Sequence, residues 1–396
     1  MKIVADENIP LVEAFFSPLG EVLTRPGRTL KAEDVRDAEV LLVRSVTRVN
    51  RALLDGSKVR FVGTCTIGED HLDLDYLKQH NIAFASAPGC NANSVVEYVF
   101  SVLAALNTDW RGKVFGIIGC GNVGGRLYQR LQALGVECRC YDPLLSSPSP
   151  ANTPLQRDLT SLEAVLAADI ISLHTPLTRG GPYPTYHMLG MEQLLTLPPG
   201  SLLINSGRGA AIDNQALLRI LQRRDDLTVA LDVWEPEPAL NPSLLERVAL
   251  GTPHIAGYSY DGKVAGTAMV HRALCRFLSL EVEVPQDDVP APAPLIVNSA
   301  DAYTQLREAV LQAYDVRQDD RRLRWAAADV AQLPKAFDAL RKNYPRRLEF
   351  SNYVVQLPDV VQQPDVVQQP DGHPGCEGLD RLGFMLKTKK PPAENR

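Results

Sequence analysis

Several polar residues stand just past the ends of short apolar runs. Ser201–Ile204 leads into Asn205-Ser206-Gly207-Arg208-Gly209, and Thr228–Leu231 into Asp232-Val233-Trp234-Glu235-Pro236-Glu237-Pro238. Arg247–Gly251 leads into Thr252-Pro253-His254-Ile255-Ala256-Gly257-Tyr258. A histidine titrates near neutral pH and can take or return a proton. A carboxylate beside it favours the protonated ring, and an arginine can grip a substrate carboxylate in a fixed fork. Taken singly, each has a plainer reading: Arg208 in a surface ion pair, Glu237 as a solvated acid, His254 as a satisfied core histidine.

The elements that must position these residues are organised around residues 113–142. Val114-Phe115-Gly116-Ile117-Ile118 reads as a buried strand, and Gly119-Cys120-Gly121-Asn122-Val123-Gly124 follows at once. Leu127, Tyr128, Leu131 and Leu134 recur at helical spacing, Gly135 is placed to end that helix, and a second strand closes on Asp142. Strand, glycines, helix, strand and acid in that order form a dinucleotide site. The first glycine permits the turn, the second lets backbone approach a pyrophosphate, and the third lets helix and strand pack. The pyrophosphate would sit on the helix N-terminus. Asp142 would accept from the adenosine ribose hydroxyls and repel a 2′-phosphate, which selects NAD over NADP. The arginine, carboxylate and histidine then emerge on the rim where the nicotinamide would lie. Ala168–Leu173 is a further strand of this sheet, delivering His174-Thr175-Pro176.

The chain has 396 residues, room for two or three domains, and an ordinary globular composition of 45% hydrophobic and 22% charged residues. A net charge of -6 argues against a nucleic-acid surface. No apolar run is long enough to cross a bilayer, and Met1–Ala5 reads as a strand and not as a signal peptide, so a cytoplasmic protein is expected. The 7 cysteines show neither C-x-x-C nor Cys/His spacing, so they read as core residues and no metal site is expected.

Residues 1–92 read as a first αβ unit. Val40–Val43 ends on Arg44-Ser45-Val46-Thr47, and Arg60–Gly63 runs into Thr64-Cys65-Thr66-Ile67-Gly68. Ligands of open αβ sheets bind at the carboxyl ends of strands, so both loops are candidates for a small polar substrate. Ser45 and Thr66 could equally make local turn hydrogen bonds, and Arg44 could be a solvated charge. Ser94-Val95-Val96-Glu97 has capping-box spacing and opens an amphipathic helix, with a hinge expected near residues 90–94.

Gly119-x-Gly-x-x-Gly124, Asn205-Ser-Gly-Arg-Gly209, Asp232-Val-Trp-Glu-Pro-Glu-Pro238 and Thr252-Pro-His254 together resemble the NAD-dependent D-2-hydroxyacid dehydrogenases over residues 1–285. The resemblance implies an α/β fold of two Rossmann-like, doubly wound parallel-sheet domains. One is a substrate-binding domain, 1–92, completed by a helix at 259–285; the other is an NAD-binding domain, 93–258. It implies Arg208, Glu237 and His254 as the catalytic set. It implies cofactor contacts from Gly119, Gly121, Asn122, Val123, Gly124, Asp142, Thr175, Ser206, Gly207, Asp232 and Gly257. His174 and His71 do not match the family's catalytic position and read as structural or peripheral.

Ala5–Pro10, Leu42–Thr47, Phe61–Gly68, Ser86–Ala92 and His254–Ser259 resemble one branch of that family, whose substrate is a phosphorylated four-carbon 2-hydroxy acid. By that resemblance Ser45, Thr66 and Tyr258 contact substrate, with Arg44 placed to meet the phosphate. The branch carries a small C-terminal α+β dimerisation domain, here 286–356, so a homodimer is implied. Phe337–Pro345 resembles part of that domain, with helices expected at 302–314 and 335–343. Arg346 or Arg347 could reach a phosphate across the dimer, or belong to a basic surface run. From residue 357 on, Pro358-Asp359-Val360-Val361-Gln362-Gln363 repeats, and a low-complexity tail without regular structure is expected. Rival readings are another hydroxyacid dehydrogenase, for 3-phosphoglycerate or hydroxypyruvate/glyoxylate, and an NAD-sensing corepressor.

Overall fold

Unbroken runs of branched apolar residues suit strands covered on both faces. In the computed structural model of the chain such runs form two parallel sheets. The structure describes residues 1–145, 159–282, 284–285, 290–299, 301–357 and 374–387. The chain divides into two units, Met1–Ala92 with Tyr258–Pro290, and Asn93–Gly257 with Ala291–Arg396.

The first unit holds β1 (Lys2–Asp6), β2 (Glu21–Arg25), β3 (Val40–Val43), β4 (Phe61–Thr64) and β5 (Ala83–Ala85), in the order β2-β1-β3-β4-β5, all parallel. Every residue of β3 and β4 is buried. Ile3, Ala5, Val40, Leu42 and Phe61 pack on one face with Phe15, Phe16, Val270 and Leu274. Val4, Leu41, Val43 and Val62 pack on the other with Leu53, Leu54, Tyr76 and Leu77. Helix Tyr260–Phe277, capped by Ser259, completes this unit. It lies so close to β4 that a Cβ on Gly63 would stand 2.3 Å from Val270 Cγ1. Phe16 is fully buried here, and cutting it to alanine would cost about 3–5 kcal/mol.

The second unit holds β6 (Val114–Ile118), β7 (Glu137–Tyr141), β8 (Ile170–Leu173), β9 (Leu202–Asn205), β10 (Thr228–Leu231) and β11 (Leu250–Gly251), in the order β11-β10-β9-β8-β6-β7, again all parallel. The order reverses between β6 and β8, and the crevice beyond the carboxyl ends at such a switch point is where αβ sheets take ligands. Helix Asn122–Ala133 follows β6 and stops before Gly135, which has a φ of +77° open to glycine.

After residue 290 come helices Ala302–Ala313, Arg317–Ala327 and Leu333–Lys342, with a small parallel sheet of β12 (Leu295–Ile296), β13 (Val354–Gln356) and β14 (Met385–Leu386). This segment shares the second unit's core: Leu323, Leu333 and Phe337 belong to one apolar cluster with Trp234, Leu244 and Leu245. Asp320 accepts from the Gly251 N–H at 2.7 Å, and Arg324 donates to the Leu245 and Val248 carbonyls at 2.7 and 2.8 Å. These buried bonds join the small C-terminal α+β region to the nucleotide-binding sheet.

Two expectations are corrected. The proline repeat predicts no regular structure from residue 357 on, yet Pro374–Leu382 is a helix and Met385–Leu386 a strand. Beyond the proline repeat the apolar spacing returns: Leu379, Leu382 and Phe384 are buried, and Phe384 stacks on Phe350 at 4.5 Å. The repeat itself, 358–373, lies outside the described residues, as do 388–396. Ser94 and Glu97 do not form a capping box either, because helix Ala92–Ala105 already runs through them. Ser94 donates to the Ala256 carbonyl at 2.8 Å, and Glu97 accepts from Asn93 Nδ2 at 2.9 Å and the Phe350 N–H at 2.8 Å.

Candidate active site

The chain leaves β6 through Gly119 at φ +85°, where a Cβ would stand 2.8 Å from Thr175 Cγ2. A Cβ on Gly124 would stand 1.9 Å from the Gly119 carbonyl, so only glycine lets the helix start this close to the strand. Gly121 has nothing within 4 Å of its Cβ position, which leaves open space over the loop. Asn122 and Val123 open the helix, and no side chain caps it. The buried Thr175 Oγ1 has no hydrogen-bond partner among the described residues. Asp142 accepts from the Cys120 N–H at 2.9 Å and the Leu144 N–H at 3.2 Å, so it also braces the loop. An uncapped helix start, space at Gly121, an orphaned hydroxyl and a carboxylate on the next strand fit NAD.

Past β9, Asn205 closes a tight turn: Oδ1 accepts from the Gly207 N–H at 3.1 Å and Nδ2 donates to the Arg208 carbonyl at 3.0 Å. A Cβ on Gly209 would stand 1.8 Å from the Trp234 carbonyl, so the turn bearing Arg208 packs on the loop past β10. In that loop Glu237 Oε1 accepts from the Trp234 N–H at 2.9 Å, and Oε2 lies 2.7 Å from His254 Nδ1. His254 sits at φ +57°, held by its N–H on the Asp232 carbonyl at 2.7 Å. The two side chains are 30% and 22% exposed, and His254 Nε2 has no partner among the described residues. Burial pushes the Glu237 carboxyl up, but the charge and hydrogen bond of His254 and the Trp234 N–H outweigh it and hold it below the usual range. With Nδ1 engaged by the carboxylate, the Nε2 lone pair of the neutral ring can act as a base.

Asp232, expected at the cofactor, is only 1% exposed and turns inward. Its carboxylate accepts from Thr252 Oγ1 at 2.7 Å and from the N–H groups of Ile255 and Ala256 at 2.8 and 2.9 Å. It therefore shapes the loop that carries His254 and ends at Gly257. Ser206 Oγ lies 3.2 Å from His174 Nδ1, and Ser172 Oγ lies 2.9 Å from its Nε2. Burial pushes His174 down to about 3, so it stays neutral and links two strand ends.

A histidine and a glutamate of the same loops escaped the sequence reading. His187 Nε2 lies 2.8 and 2.9 Å from the two oxygens of Glu235, and its ring stacks on Tyr186 at 3.9 Å. Its N–H donates to the Ala210 carbonyl at 2.8 Å, two residues past Arg208. This pair ties the Glu235–Pro238 stretch to the turn of Arg208. No spacing in the sequence signals it, since 48 residues separate the partners.

In the first unit Arg44, Ser45 and Thr66 lie just past the ends of β3 and β4. Arg44 Nε is 3.2 Å from Asp6 Oδ2, and Ser45 is exposed. Thr64 Oγ1 lies 2.8 Å from Thr66 Oγ1 and 3.0 Å from His71 Nε2, and burial pushes His71 down. Lys263 Nζ stands 4.5 Å over the Tyr258 ring.

Arg347 does not present itself to an outside phosphate. It is 6% exposed, with its guanidinium on Ser94 Oγ, on the Ala256 carbonyl at 2.6 Å and over the Tyr314 ring at 4.1 Å. Arg346 is exposed. The described residues hold no group of three or more metal-ligating side chains, and no helix among them is long and apolar enough to cross a membrane.

Residues 95–256 match the family profile described as the D-isomer specific 2-hydroxyacid dehydrogenase, NAD binding domain, and residues 293–369 match one described as a domain of unknown function. Solved structures with this fold include D-lactate dehydrogenase from Aquifex aeolicus with NAD and lactic acid, with a TM-score of 0.58 and 24% identity over 70% of this chain and 96% of that one. That likeness speaks for the fold alone. Cofactor-bound 3-phosphoglycerate dehydrogenase from Entamoeba histolytica matches with a TM-score of 0.58 and 27% identity over 70% of this chain and 95% of that one. The erythronate-4-phosphate dehydrogenase of Cellvibrio japonicus is 55% identical over 365 residues, 90% of this chain and 95% of the relative. That of Saccharophagus degradans is 50% identical over 362 residues, 90% and 95%. The chain belongs to the D-isomer-specific 2-hydroxyacid dehydrogenases and, within them, to the erythronate-4-phosphate dehydrogenase family. It is an NAD-dependent oxidoreductase.

Proposed function

We propose that the protein oxidises 4-phospho-D-erythronate at C2, giving 2-oxo-3-hydroxy-4-phosphobutanoate, NADH and a proton, as a step of pyridoxine 5′-phosphate biosynthesis. The observation that carries this reading is the His254–Glu237 pair at 2.7 Å, in a chain 47–55% identical to relatives bearing that enzyme name. NAD held on the Gly119–Gly124 loop would supply the acceptor for the hydride of C2. His254 Nε2 takes the proton of the C2 hydroxyl as the C–O bond becomes a carbonyl. Glu237 fixes the ring tautomer through Nδ1 and stabilises the imidazolium that results. Arg208 pairs with the substrate carboxylate and with charge growing on the C2 oxygen. Ser45, Thr66 and Tyr258 bind the hydroxyls, and Arg44 binds the 4-phosphate.

The same reading makes the protein a cytoplasmic homodimer with no nucleic-acid partner, the last supported by its net charge of -6. In support of a dimer, Trp325 is 84% exposed beside a cleft of about 410 Å³ lined by Pro253, Ala336, Leu340 and Tyr344. Bare tryptophan over an apolar cleft is what a protein interface covers.

A substrate panel followed by NADH absorbance, with a 2-oxo acid present to reoxidise retained NADH, tests the assignment. Turnover confined to 4-phospho-D-erythronate and lost in His254→Ala is expected. Preference for 3-phosphoglycerate would move the protein to another branch, and NAD binding without any turnover would favour a corepressor. Sedimentation of wild type and Trp325→Glu tests the dimer.

A further inference from the structure

The carboxyl ends of β1 and β3 bring a buried acid against an arginine. Asp6 is 3% exposed, and its Oδ1 accepts from the Asn8 N–H at 2.8 Å. Its Oδ2 lies 3.2 Å from Arg44 Nε and has no hydrogen-bond partner among the described residues. Gly27 walls that oxygen in: a Cβ there would stand 2.2 Å from Oδ2 and 2.7 Å from Thr47 Oγ1, which itself donates to the Gly27 carbonyl at 2.9 Å. The carboxylate is left with one outlet, the arginine. Arg44 is 20% exposed, and the described residues give its terminal nitrogens no hydrogen bond. Arg44 Nε is likewise buried without a hydrogen-bond partner, so the guanidinium meets Asp6 on its Nε edge as an ion pair while its fork stays open.

We propose that Asp6 is a positioning residue that aims Arg44 at the substrate phosphate and so sets preference for a phosphorylated hydroxy acid; this rests on the function proposed above. A phosphate is best met by a guanidinium presenting two N–H groups in a plane, and an arginine swings through many rotamers unless something fixes it. A buried carboxylate at Nε fixes it without occupying the fork. Its charge also helps keep an unliganded arginine in place.

The test compares KM and kcat for 4-phospho-D-erythronate and for D-erythronate in wild type, Asp6→Ala, Asp6→Asn and Arg44→Lys. Asp6→Ala should raise the KM for the phosphorylated acid about tenfold, the scale of one weakened charged hydrogen bond. It should leave kcat, and both constants for D-erythronate, unchanged. Asp6→Asn keeps a side-chain oxygen facing Nε without the charge, and should recover part of the loss. Arg44→Lys keeps the charge but not the Nε contact, and should raise the KM for the phosphorylated acid by a similar factor. Equal effects on both acids in Asp6→Ala, or an unchanged KM in Arg44→Lys, would overturn the proposal. Arg44→Lys decides the matter if Asp6→Ala does not fold. Should the wild type turn over neither acid, the functional reading is what fails. Calorimetric binding of inorganic phosphate then tests Asp6 by itself: equal affinity in wild type and Asp6→Ala overturns the proposal, and weaker binding in the variant upholds it.

Discussion

His254 Nδ1 and Glu237 Oε2 stand 2.7 Å apart, while the other carboxylate oxygen is held by the Trp234 N–H. Both oxygens are thus engaged before any substrate arrives, and the imidazole is preset. Glu237→Gln keeps the shape and removes the charge. It should lower kcat, with the NAD Kd unchanged. His254→Gln should cost about 10²–10⁴ in kcat, the usual worth of a positioned base, with the NAD Kd unchanged.

Glu237 also gives an acid-side stability signature. Its folded pKa lies below the ordinary value of 4.5, despite burial, because of His254 and the Trp234 N–H. The stabilisation is complete above about pH 4.5 and fades as pH falls through the lower folded value. Thermal unfolding from neutral to acid pH should therefore show a Tm gap between wild type and Glu237→Gln that closes only at the acid end.

Glu97 has the opposite sign. Burial and the neighbouring Glu349 push its carboxyl well up, and Oε2 is buried without a partner. The protonated form suits this site, so stability is highest below the ordinary carboxyl range and is lost as pH rises toward the folded value. Glu97→Gln should leave Tm near wild type at acid pH and raise it at alkaline pH.

Two glycines of the cofactor loop should separate packing from binding. Gly124→Ala forces a Cβ to 1.9 Å from the Gly119 carbonyl and should destabilise the apoprotein by about 1–3 kcal/mol. Gly121→Ala meets nothing within 4 Å, so apoprotein Tm should hold while the NAD Kd rises about tenfold or more. An unchanged Kd would remove Gly121 from the pyrophosphate path.

Asp142→Asn can still accept from the Cys120 N–H but no longer repels a 2′-phosphate. The ratio of kcat/KM for NAD over NADP should fall about tenfold, with little change in Tm.

Sequence periodicity reached the central strands because β3, β4 and β8–β10 are almost continuous apolar runs, buried on both faces. It missed β2 and β5, edge strands whose residues are largely half-buried or exposed. Helix Arg317–Ala327 was also missed, since Arg-Gln-Asp-Asp-Arg-Arg carries almost no apolar stripe. Its Asp319 and Asp320 are nonetheless buried, one accepting from Tyr314 and Tyr344 and the other from Gly251. The pairings with Tyr344 and Gly251, 25 and 69 residues away, leave no local mark. Within the site, Arg208, Glu237 and His254 stood out because each follows a strand. The inward turn of Asp232 and the grip of His187 on Glu235 depend on which way a side chain points, and spacing is silent on that.

The Ala256 carbonyl, two residues past His254, receives Ser94 from one side and Arg347 from the other, the latter 91 positions further along. A ribosome completes all six strands of the nucleotide-binding sheet well before it reaches that arginine. During synthesis the nascent chain can thus have its cofactor cradle finished while the loop of its base still lacks one of its anchors. A polypeptide released early, by a stop codon or a protease, would be expected to hold dinucleotide yet turn over poorly. Through Arg347, part of the C-terminal segment thus bears on the loop of the catalytic base.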